Sequence, residues 1–246
     1  MDIDYVLKTC YAGLPNDKTR LEEAVEVFLF TVRDADSAKI RKLSTFNALV
    51  KIGNHILRYD ATLLDGLEKK LIQLGEYGTH VSRRLKPDEQ VRVGHLHSHL
   101  ADLKVHVSRK TENQSLLEQA YFHRLMSGNL TAGIQPAYAA HSLTYAADIA
   151  LDIFQKTRIV NWLEKAFYAN SRAAAFCSAE DARHSAHTYL IAGEQAERLA
   201  VLTGHPVWNA RARQSYIHFL GCCNQAKTYD LRAKIHRVEE RIKRLK

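Results

Sequence analysis

Apolar positions recur along this chain at helical spacing and not in alternation. Leu96, Leu100, Leu103 and Val107 fall at i, i+4, i+7 and i+11, one continuous stripe on a helix. Ala146, Ile149 and Ile153 draw the same stripe further along. Near the end, Leu231, Ile235, Val238, Ile242 and Leu245 alternate steps of 4 and 3, the heptad pattern of a helix that docks on another helix. Between the stripes lie Ala, Leu, Arg, Lys, Glu and Gln, which lose little side-chain entropy in a helix. An all-α chain is predicted.

The stripes belong to a repeat. Leu21-Glu22, Leu67-Glu68, Leu117-Glu118 and Leu163-Glu164 open similar segments at intervals of 46, 50 and 46 residues, and Trp162 and Trp208 are also 46 apart. His95, His141 and His187 keep the same period, followed by Ala101-Asp102, Ala147-Asp148 and Gly193-Glu194. Each unit therefore reads as two helices. The first helices are expected at 19–33, 63–78, 114–127, 160–177 and 207–225, and the second at 38–58, 87–108, 136–156, 180–202 and 228–245, with a short one at 3–13. Pro87 and Pro136 stand at helix starts, where a missing N–H costs nothing. Ser178 with Glu180 and Asp181 supplies a cap, and Gly204-His205-Pro206 ends one helix and opens the next. Units of this kind cannot bury their faces alone and are expected to stack as an α-solenoid of about ten helices.

From about residue 19 onward, this pattern resembles the α-solenoid superfamilies, the tetratricopeptide and the HEAT or armadillo types. The period of 46 lies within the roughly 40–47 of HEAT and armadillo units and away from the tetratricopeptide value of roughly 34. The resemblance is one of architecture. It implies a scaffold that binds other macromolecules and assigns no residue a role. A single helical-repeat domain over 1–246 is expected, with 1–18 capping one end and 228–246 forming a basic cap at the other.

Charge changes the picture at that second end. The chain carries a net charge of +8, and residues 206–246 hold 10 Lys and Arg against 3 acids, whereas residues 1–79 and 125–205 are each slightly acidic. No apolar run reaches the roughly 18–20 residues that span a bilayer, and the N-terminus lacks a basic-then-apolar signal pattern, so no membrane association and a cytoplasmic location are expected. Cys10, Cys177, Cys222 and Cys223 have no C-x-x-C spacing and read as buried, reduced thiols.

Two constellations carry candidate chemistry. His95, His99, Asp102 and His106 share one helical face, continued by His141, Tyr145 and Asp148 and then by His187 and Glu194. Two imidazoles one turn apart with a carboxylate can grip a transition metal, and the same face can form a polar groove for a ligand. Equally, these side chains flank the apolar stripe, where an amphipathic helix places its polar residues, and they can hydrogen-bond across repeats. The expectation is no metal and no cofactor. No H-E-x-x-H, G-x-S-x-G, Walker loop or dinucleotide fingerprint is present, so no catalytic residue is assigned.

The second constellation is the basic helix at the end, with Arg232, Lys234, Arg237, Arg241, Lys243 and Arg244 as candidate binding residues. A polar cap of the array accounts for it, as does a surface for an acidic protein partner, for nucleic acid phosphates or for a second copy of the helix. Aromatic residues that stack bases are absent from this helix, which favours phosphate contact over base readout. The function expected from the sequence is a non-catalytic scaffold for an acidic protein partner. The alternative is a nucleic-acid-binding repeat protein, and an enzyme using the His/Asp face is the outsider.

Overall fold

The computed structural model describes Asn47 and residues 69–73, 75–76, 87–177, 181–226 and 232–245. The helices expected at 3–13, 19–33 and 38–58, apart from Asn47, lie outside these residues. All regular structure among the described residues is helical, and the chain is an all-α helical repeat. From residue 87 onward the described helices run in order: α1 Pro87–Thr111, α2 Gln114–Thr131, α3 Pro136–Thr157, α4 Val160–Cys177, α5 Ala182–Thr203, α6 Val207–Ala226 and α7 Arg232–Arg244. The contacts divide between two compact units, Met1–Leu130 and Thr131–Lys246.

The repeat is clearest at its corners. Thr111, Thr157 and Thr203 each end a helix and donate Oγ1–H to the carbonyl four residues back, at 2.8, 2.9 and 2.7 Å. The next residue turns left-handed each time: Glu112, Arg158 and Gly204 have φ of 54°, 60° and 66°. That turn points the freed amides of Arg158 and Gly204 back to Phe154 and Ala200, closing the helix ends. The following helix then begins with the amides of Leu116, Trp162 and Trp208 bonded to the carbonyls of Asn113, Ile159 and His205. One backbone turn thus occurs three times at the 46-residue period. Only Gly204 adopts it without the steric cost of a Cβ.

Starts were easier to place than stops. α1 and α3 begin at their prolines, but α1 runs to Thr111 and α2 to Thr131, beyond the expected 108 and 127. α5 begins at Ala182 instead of 180: Asp181 is the cap, and its Oδ1 accepts from the His184 amide at 2.9 Å. Ser178 and Glu180 lie outside the described residues.

In the first unit, helical residues at 69–73 and 75–76 precede α1. A Cβ on Gly75 would stand 2.9 Å from Leu100 Cδ1, so glycine lets this segment approach the stripe of α1 closely. Leu96, Leu100 and Leu103 are fully buried, and Val107 nearly so. In the second unit, α3 to α6 pack as consecutive neighbours and α7 adds a smaller contact with α6. Their interfaces are rich in alanine: Ala146, Ala147 and Ala150 on α3, Ala166 and Ala173 on α4, and Ala192 and Ala196 on α5 are all fully buried. Small side chains let helices approach closely along their whole length. Gly193 takes this furthest, because a Cβ there would lie 2.3 Å from the Tyr216 ring.

Candidate functional site

The most unusual chemistry in the first unit is a polar cluster buried between α1 and α2. Lys104 is 1% exposed, and its ammonium reaches Glu76 Oε1 and Gln119 Oε1, both at 2.6 Å. One turn earlier, Arg124 of α2 is also buried; it donates through Nη1 to Ser98 Oγ and through Nη2 to Asp102 Oδ1. Beside them, His97 and His123 meet Nδ1 to Nδ1 at 2.7 Å. Burial, reinforced by the Lys104 charge, pushes His97 down to about 4. Burial, Lys104 and His97 together push His123 down to about 3. Both rings are therefore neutral at physiological pH. A neutral ring offers one N–H and one bare nitrogen, so the short contact requires opposite tautomers, one Nδ1–H donating to the other's lone pair. Through these bonds the cluster ties α1 to α2.

Helical register separates this cluster from the expected histidine face. Asp102 is the one expected residue that joins it, as the acceptor for Arg124. His95, His99 and His106 are half-buried on α1. In the second unit, His141 and Tyr145 are exposed and meet edge to face with centroids 4.6 Å apart. Asp148 and His187 are exposed as well. Among the described residues, no group of three or more His, Cys, Asp or Glu is placed to hold a metal ion.

The repeat supplies the signal that would have exposed the buried cluster. At the 46-residue period, Lys104 occupies the position of Ala150 and Ala196, and His97 that of Leu143 and Tyr189. His123 occupies that of Ala169 and Ser215, and Arg124 that of Asn170 and Tyr216. Lys104, a charge at a position that both later units fill with Ala, marks most clearly where one unit departs from the frame.

The basic C-terminal helix sits in the second unit and has two sides. Val238 is buried at 1% exposure, and Ile235, Ile242 and Leu245 are half-buried, so the expected stripe faces the protein; Leu231 lies outside the described residues. Arg241 also faces inward. Its Nη1 donates to Glu194 Oε1 and to the Tyr216 hydroxyl, both at 3.0 Å, and lies 3.6 Å from Glu197 Oε2. Burial and Glu197 push the Tyr216 phenol well above its usual range, keeping it a neutral partner. Glu194, expected in a polar groove, is thus a clasp for α7. The neighbouring His187 is held below its usual value by partial desolvation and by Lys234 and His184, against the opposing pull of Glu194. Arg237, Lys243 and Arg244 are exposed and Lys234 is half-buried; Lys243 makes a surface pair with Glu240 at 2.7 Å. The side chain of Arg232 lies outside the described set.

No family model matches the chain, and no curated protein matches it. Among solved structures, it is similar to a de novo designed helical repeat protein, DHR64, at 16% identity over 99% of each chain with a TM-score of 0.37. It is also similar to BtubC (BKLC) from P. vanneervenii, at 16% identity over 92% of this chain and 90% of that one, with a TM-score of 0.43. No helix among the described residues is long and apolar enough to cross a membrane.

Proposed function

We propose that this protein is a non-catalytic binding scaffold that holds an acidic protein segment on the outward face of α7. The observation that carries this reading is the division of labour within the helix. Val238 and Arg241 fasten α7 to the helices beneath, while Arg237, Lys243 and Arg244 point away from them. Fixing the helix by an internal clasp presents the remaining cations in a set geometry, which lowers the ordering cost of binding. Arg241 accordingly belongs with the anchors and not with the contact residues. The helical-repeat architecture fits a scaffold, and we keep the likeness to tetratricopeptide and HEAT proteins as one of architecture. The reading places the protein in the cytoplasm and requires no cofactor.

Replacing Lys234, Arg237, Lys243 and Arg244 with Gln removes four charges at nearly constant helix propensity and leaves the clasp intact. Binding of a fluorescein-labelled poly-Glu peptide is then measured by anisotropy across a salt series. The expected result is weak binding by the variant and, for the parent, an affinity that falls with salt. Equal affinity of variant and parent would show that the outward charges only solvate a cap.

A further inference from the structure

The second unit carries another surface, on the outer sides of α4 and α6, that the basic end does not explain. We propose that this face binds single-stranded nucleic acid, with bases stacked on Tyr168 and His218 and phosphates held by the neighbouring arginines.

Charge is the first observation. α6 contains Arg211 and Arg213 and no carboxylate along its whole length, and Glu164 is the only acid of α4, against Lys165 and Arg172. The carboxylates of the adjoining helices, Asp148, Asp152, Glu194 and Glu197, stand on α3 and α5 instead. With Lys156, Arg183 and Arg198 also on α3 and α5, that pair of helices is close to neutral, whereas α4 and α6 together hold four cations against one acid, an excess that suits a polyanion.

The second observation is that this side displays rings with built supports. Tyr168 is 46% exposed, yet it is held in place: the Arg211 guanidinium lies 5.1 Å over its ring and donates to its hydroxyl. The same guanidinium lies 4.5 Å over Trp208, which is buried and fixes Arg211 from below. On α6, His218 is exposed and stacks on Tyr189 of α5 with centroids 5.0 Å apart, and its Nε2 meets Gln214 Nε2 at 2.8 Å. Tyr168 and His218 are braced, solvent-facing rings on neighbouring helices, with Arg211 against Tyr168 and Arg172 exposed one turn from it, and they form a stacking platform beside positive charge. That combination suits a flexible single strand, whose bases are free to splay onto the rings. A duplex hides its base faces, and an acidic peptide has no use for the exposed ring. This inference is independent of the α7 surface.

The test uses the full chain and a labelled 12-nucleotide U-rich RNA, with poly-Glu as the comparison ligand. Tyr168→Ala should weaken RNA binding on the order of tenfold and leave poly-Glu binding unchanged. Tyr168→Phe, which keeps the ring, should retain the parent affinity within about twofold. Arg172→Gln should reduce the slope of log K against log salt by about 0.7. Thermal melts of each variant show that the fold is retained. Absence of RNA binding by the parent overturns the proposal. So does RNA affinity unchanged in Tyr168→Ala, or an equal loss for RNA and poly-Glu. Loss of poly-Glu binding in the four-Gln α7 variant, with the Tyr168 dependence of RNA binding preserved, separates this surface from the one proposed above.

Discussion

The α1/α2 interface and the α3/α4 interface share one backbone frame and opposite interiors. Between α1 and α2 lie Lys104, Arg124, His97 and Ser98, each with an internal partner. At the equivalent positions of the next unit stand Ala150, Asn170, Leu143 and Thr144, and the interface there is closed largely by alanine, leucine and isoleucine. The same turn joins both pairs, with Thr111 and Thr157 ending the first helix and Glu112 and Arg158 left-handed after it. The turn and the apolar stripe set the repeat, while the residues between them are free to differ. A buried charge survives in the frame only where its acceptors come with it.

The largest effect is expected from moving the lysine without its partners. Ala150→Lys places an ammonium in a fully buried site that has no Glu76 or Gln119, and should cost the second unit about 4 kcal/mol or more. Lys104→Met, the reverse exchange, leaves Glu76 half-exposed and able to hydrate, so its stability should stay within about 1 kcal/mol of the parent. Urea denaturation of both variants checks the pair. A tolerated Ala150→Lys would mean that the α3/α4 interface is wetter than its packing implies.

The next contrast sets equivalent acids against each other. Asp102 and Glu194 occupy the same repeat position, and each pairs with an arginine. Asp102→Ala removes the carboxylate that faces the buried Arg124 and should cost about 3–5 kcal/mol. Glu194→Ala leaves Arg241 partly hydrated and still beside Glu197, and should cost less than about 1 kcal/mol. Similar losses in the two variants would remove the distinction between cluster and clasp.

A smaller effect, graded with pH, belongs to the His97–His123 pair. Both folded values lie below the ordinary 6.5, so below that pH the unfolded chain binds more protons than the native one. The pair's contribution is whole above about pH 6.5 and is lost as pH falls toward 4 and then 3. The slope is about 1.4 kcal/mol per pH unit for each ring. His97→Leu combined with His123→Ala, the residues of the next unit, should flatten stability between pH 6.5 and 4. An unchanged slope would assign the acid sensitivity elsewhere.

Much of this was legible in the sequence because helix starts and apolar stripes are local signals. Pro87 and Pro136 announce α1 and α3, and the stripe from Leu96 to Val107 is buried as its spacing requires. The stops were less clear. Thr111 and Thr157 close their helices through a backbone turn in which Glu112 and Arg158 take a conformation usually left to glycine, so no composition cue marks them. Only Gly204 announced its corner. The polar cluster was illegible for another reason. Lys104 and Arg124 look like solvated charges on their own helices, and their burial is set by what faces them from residues 76, 98, 102 and 119. The spacing of the histidine face is local, whereas the contacts of the cluster run between helices. Likewise Arg241 is indistinguishable by sequence from Arg237, and only the Glu194, Glu197 and Tyr216 contacts turn it into an anchor.

The three threonines report whether one turn is used three times under different interiors. Thr→Val at 111, 157 and 203 keeps shape and β-branching and removes the hydroxyl that bonds the carbonyl four residues back. Urea denaturation of the three single variants should give similar losses of about 0.5–1.5 kcal/mol each, because the same hydrogen bond is removed from the same corner. A loss at one corner with none at the others would contradict the shared frame and leave the 46-residue period as a resemblance of sequence alone.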